Sequence, residues 1–85
     1  MKTIDFRKIA VTDIEGNVKE LDFSKHLGNY MYMNATHISE AELGKRIYHE
    51  GVAEIERGME GFVVKMAKDS GMLYPVWSAI EKMLQ

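Results

Sequence analysis

Cysteine is absent from the 85 residues, so no disulfide can staple the fold, no thiolate can act as a nucleophile, and cysteine-based zinc and iron–sulfur sites are excluded. Packing alone has to hold the chain together. Proline occurs once, at Pro75, and no stretch approaches the ~20 consecutive apolar residues of a membrane span. The opening MKTIDFRKIAV also lacks the apolar run of a secretory signal. A soluble, cytoplasmic protein without a membrane partner is expected. Neither sign of charge dominates, since 11 basic and 13 acidic residues in mixed order give a formal net charge of −2. No face is expected to carry the positive field that phosphate-driven nucleic-acid binding requires, so nucleic acid is a disfavoured partner.

What is present suits a single domain, residues 1–85, with 46% hydrophobic content and a size near the limit of marginal stability. Seven methionines provide flexible, polarizable filling for a core or for an adaptable contact surface. The largest apolar block is Val52 to Ser70, where Val52, Ile55, Met59, Phe62, Val63 and Met66 fall at the spacing of one helical face. The remainder of the chain is expected to cover that face.

Residues 3–23 read as a β-hairpin. Ile9 and Val11 alternate with Lys8, Ala10 and Thr12, Asp13 to Asn17 supplies turn residues, and Val18 to Leu21 returns. Ile4 and Phe6 are out of phase with Ile9 and Val11, which calls for a bulge or break near Arg7-Lys8. A helix over about 24–34 follows, capped by Asp22 or Ser24, with Phe23, Leu27, Tyr30 and Met31 on one side. Ile38 to Leu43 has the pattern of a capping box and staple, with Ser39 as N-cap, Glu42 reaching back and Ile38 packing on Leu43. That helix runs over about 40–50, pairs Glu42 with Arg46 and ends at Gly51 in the left-handed conformation.

A helix over 52–70 is the reading for the next segment, although no side-chain cap precedes Val52. Gly51 could turn one helix into the next or bend a single helix from Glu40 to Ser70. A third arrangement makes Val52 to Ile55 a short extended piece joining the hairpin, with the helix starting near Arg57. Gly58 and Gly61 weaken the middle of this helix and could admit a close neighbour. Gly71 ends it, and Pro75 opens a last helix through Leu84. The expected fold class is therefore α+β, an N-terminal β-hairpin packed on a small bundle of about four helices.

No catalytic, cofactor or metal motif emerges. His26, His37 and His49 lie in different segments, and His49-Glu50 is followed at the second-histidine position by Ala53, which defeats a zinc-protease reading. Asp13 and Glu15 fall in a turn, where Asp has a structural use. Gly58-Met59-Glu60-Gly61 lacks the lysine of a phosphate loop.

The N-terminal half, through Val11-Thr12-Asp13-Ile14-Glu15-Gly16, Leu27-Gly28-Asn29, Glu42-Leu43 and Ile47-Tyr48, resembles short uncharacterised proteins carried by bacteriophages and other mobile elements. The resemblance implies a small accessory or assembly protein and carries over no active-site residue. A non-enzymatic interaction module is the resulting expectation, with a second copy or another protein as partner and no cofactor. Tyr30, Tyr32, Met33 and Trp77 form its candidate surface, because Tyr, Trp and Met are enriched at interfaces. A small DNA-binding regulator is the alternative, with Glu40–Gly51 and Val52–Ser70 as a helix-turn-helix whose second helix would present Glu54, Glu56, Arg57 and Glu60.

Overall fold

The computed structural model describes residues 2–85. It is an α+β fold with four short strands and four helices: β1 (Lys2–Asp5), β2 (Ile9–Thr12), β3 (Val18–Leu21), α1 (Ser24–Met33), α2 (Ile38–Glu50), β4 (Val52–Ile55), α3 (Glu60–Asp69) and α4 (Tyr74–Leu84). The strands form two antiparallel pairs, β2 with β3 and β1 with β4. A single core joins all of these elements except β3, and its largest fully buried side chains include Phe6, Ile9, Leu27, Met31, Ile47, Ile55 and Ile80. Among the described residues no helix is long and apolar enough to cross a membrane.

The β2–β3 hairpin forms where the alternation predicts it. The Asp13 carboxylate accepts from the backbone N–H groups of Glu15 and Asn17, both at 2.9 Å, and Gly16 takes φ +93°. These bonds, that from Asn17 foremost, hold the Asp13 carboxyl below its ordinary pKa. Residues 3–23 are nevertheless not one hairpin. The chain breaks at Arg7-Lys8, where the Arg7 side chain and its own N–H both bond the Asp5 carboxylate. β1 is thereby detached and pairs with β4, with Ile4 opposite Ala53. Phe6 joins the parts. Its ring is fully buried, its N–H donates to the Gly51 carbonyl at 2.7 Å, and its own carbonyl accepts from Phe23 at 3.0 Å.

The predicted helix over 52–70 is the main correction, and the third arrangement is the one that forms: Val52–Ile55 is a strand, pairing with β1, and α3 begins at Glu60, three residues beyond Arg57. Ala53 and Ile55 are buried while Glu54 is exposed, a period of two. Val52 and Ile55 also stand three apart, which is what made them look like members of a helical stripe. Gly58, at φ +98°, then turns the chain, and the Glu60 carboxylate accepts the Gly58 N–H at 2.6 Å. The helix-turn-helix arrangement is lost with the same correction, because β4 stands between α2 and α3.

Helix starts depart from the predicted caps. The N-cap position of α1 is Phe23, so neither Asp22 nor Ser24 caps it; Asp22 instead accepts both the N–H and the hydroxyl of Ser24, satisfying that buried hydroxyl. α2 starts two residues before the predicted helix, after His37, and Glu40 instead of Glu42 reaches back, accepting from the N–H and hydroxyl of Thr36. Ile38 is 80% exposed and staples nothing. Arg46 approaches Glu50 at 4.0 Å, and the Glu42–Arg46 pair does not form. Gly51 ends α2 at φ +77°, Gly71 takes φ +90° after α3, and Pro75 sits in the first turn of α4.

Candidate functional site: the α1–α2 face

Helices in contact normally lie 8–10 Å apart, set by the side chains between them. α1 and α2 meet through glycine. A Cβ placed on Gly28 would lie 2.6 Å from the Tyr48 backbone nitrogen and 2.7 Å from the Gly44 carbonyl oxygen, and one on Gly44 would lie 2.9 Å from the Gly28 carbonyl. Nothing larger than hydrogen fits at either position. Gly58 and Gly61, where a close neighbour was expected, have open space around them.

The close approach has a consequence on the outer surface. Gly28 and Gly44 form the floor of a slot of about 210 Å³, with Tyr32 on α1 and Tyr48 on α2 among its walls. Cofactor and drug-sized pockets run to ~300–1,000 Å³, so this slot is sized for a side chain. Cations ride on both aromatic walls, Lys25 at 4.5 Å from the Tyr48 ring centroid and Lys45 at 5.5 Å from that of Tyr32. The His49 ring meets Tyr48 edge to face at 5.1 Å. The slot offers aromatic faces and positive charge to whatever enters it.

The predicted surface residues divide between separate places. Tyr32 and Met33 are 46% and 71% exposed, and Ile38 is exposed just across the α1–α2 connection. Tyr30 is half-buried and packs against the core. Trp77 is also half-buried, on α4, with the Lys68 ammonium 4.4 Å from its ring and Tyr74 edge-on at 5.0 Å. Two of the four thus flank the α1–α2 end, one supports the core beneath it, and Trp77 belongs to the α3–α4 side.

The histidines occupy three further positions. His26 Nε2–H donates to the Ser70 carbonyl at 3.1 Å, tying α1 to the end of α3, and His37 Nδ1 meets the Thr36 hydroxyl at 2.9 Å. Among the described residues no three His, Asp or Glu side chains come together.

Sequence reasoning missed the slot and its glycine floor. The signal was present in the helical interiors: Gly28 and Gly44 each forgo about 1 kcal/mol of helix propensity relative to Ala, in two consecutive helices. Set beside known protein families, curated proteins and solved structures, the chain matches none of them.

Proposed function

We propose that the protein is a non-enzymatic interaction module that self-associates through the α1–α2 face. The observation that carries the reading is the exposure of Tyr32, Met33 and Ile38 around one short connection, beside the slot between Tyr32 and Tyr48. Covering a large apolar side chain fully is worth roughly 1.5–3 kcal/mol, so Met33 and Ile38, joined by the partly exposed Tyr32, supply a nucleus for an interface at this end of the helix pair. Met33 adds a side chain that adapts to the shape it meets. The implied role as an accessory or assembly protein of a mobile element, suggested by the N-terminal half, is compatible with such a module.

Light scattering behind size-exclusion chromatography, over a hundredfold range of concentration and at two salt concentrations, tests it. A dimer or larger species that ignores salt is expected, and joint Tyr32→Asp and Met33→Asp substitution should shift it toward monomer with helicity unchanged. A monomer throughout, or assembly indifferent to both substitutions, would refute the proposal.

A further inference from the structure

Two antiparallel strand pairs leave four outer edges, and along each strand the backbone groups face the partner and the outside in alternation. Phe6 donates to Gly51 and Asp13 donates to Asn17. Counting back from these two bonds through the registers, the outward residues are Thr3 and Asp5 on β1, Ala10 and Thr12 on β2, Val18 and Glu20 on β3, and Val52 and Glu54 on β4. Three of these four edges carry an acidic residue at an outward position, a common guard against the addition of a strand. The β2 edge carries no charge.

What flanks that edge is α4. Between the two lies a groove of about 560 Å³, to which β2 contributes Ala10 and Thr12 but neither Ile9 nor Val11. These are the two strand residues whose N–H and C=O groups point away from β3. The opposite wall runs from Tyr74 to Met83, about 13 Å at 1.5 Å per residue, the length of roughly four residues of extended chain. Ile14, fully exposed at the hairpin tip, and Ala79 give the groove apolar surface. Lys82 and Asp13 line it too; among the described residues Lys82 makes no salt bridge, whereas the Asp13 carboxylate is already engaged by the N–H groups of Glu15 and Asn17.

We propose that this groove binds an extended segment of another protein, which adds to β2 as a third strand, places alternate apolar side chains against α4 and sets a carboxylate on Lys82. Unpaired donors and acceptors at strand spacing, beside a helix, are complementary to a peptide backbone and to little else. The cation favours an acidic residue or a C-terminus. The occupant assigned here is a lone strand of another protein and not a second copy. The site shares no residue with the α1–α2 slot and does not depend on self-association there.

The test uses the full chain and an acetylated probe hexapeptide, Thr-Val-Thr-Val-Thr-Asp with a free carboxylate, followed by amide exchange in NMR. At millimolar peptide the amides of Ala10 and Thr12 should become protected at least tenfold, and the same peptide N-methylated at alternate residues should protect neither. Thr12→Pro removes an outward N–H while leaving the β2–β3 bonds intact, so it should weaken binding at least tenfold with the hairpin preserved. Absence of protection, equal binding of the N-methylated peptide, or undiminished binding to Thr12→Pro would each overturn the assignment. So would a change from dimer to monomer on Thr12→Pro, which would give the edge to a second copy. Tyr32→Asp with Met33→Asp should alter assembly without affecting peptide protection, so the two proposals fail separately.

Discussion

Adding one methyl group at Gly28 tests whether the two central helices touch backbone to backbone. The new Cβ would sit 2.6 Å from the Tyr48 nitrogen, against an ordinary contact of at least 3.4 Å, so α1 and α2 would have to part by about 0.8 Å. Both of the nearest atoms are backbone, which no rotamer change can move aside. Overpacking of this kind costs ~1–3 kcal/mol, and the better helix propensity of Ala returns up to about 1. A net loss of about 1–2 kcal/mol is expected, which for a domain of this size lowers the melting midpoint by roughly 5–15 °C. Gly61→Ala is the control, because its Cβ would meet nothing within 4 Å and its φ is not left-handed. That variant should gain about 0.5 kcal/mol, so circular-dichroism melts should move in opposite directions. Gly28→Ala with Gly44→Ala should cost less than the sum of the two, since the helices part only once. If Gly28→Ala stabilised the protein as Gly61→Ala does, the glycine contact and the slot above it would be refuted.

Two further expectations rest on local geometry. Gly51→Ala places a Cβ at φ +77° and against the Arg7 side chain, so it should destabilise by about 1 kcal/mol or more, read from the urea midpoint. The carboxyls of Asp5, Asp13, Asp22, Glu40 and Glu60 are all held below their ordinary values, chiefly by hydrogen bonds from Arg7, Asn17, Ser24, Thr36 and the Glu60 N–H respectively. Their contribution is complete above the unfolded values of 3.8 and 4.5 and disappears as pH falls through the lower folded values. The melting midpoint should therefore decline from about pH 5 downward, and a midpoint that held or rose there would contradict these bonds.

Signals that lie within a few residues were legible in the sequence, and those that depend on distant partners were not. The hairpin turn is encoded by Asp13, Gly16 and Asn17, the end of α2 by Gly51 and the start of α4 by Pro75. Around α2 two capping patterns overlap, Thr36 with Glu40 and Ser39 with Glu42, and only the reach-back of the earlier one forms, from Glu40 to Thr36. Four residues are too few to separate a strand from a helical turn by periodicity, and what makes Val52–Ile55 a strand is β1, far away in sequence. The candidate surface divides in the same way. Exposure of Tyr32 and Met33 follows from an element that is apolar on every side, whereas the slot exists only because two helices bring Gly28 and Gly44 together.

The β1–β4 pairing also orders events in time. Asp5 faces Val52, so β1 must wait for the synthesis of some fifty further residues before its partner appears. Everything between them is built from local contacts, the β2–β3 hairpin and the adjacent helices α1 and α2, which can form while synthesis continues. Once they do, the ends of a long, floppy loop become two short strands emerging from a compact body, and the entropy of joining them falls. β1 thus acts as a latch that engages only after the hairpin and the α1–α2 pair, and a nascent chain halted before Val52 would carry β1 unpaired.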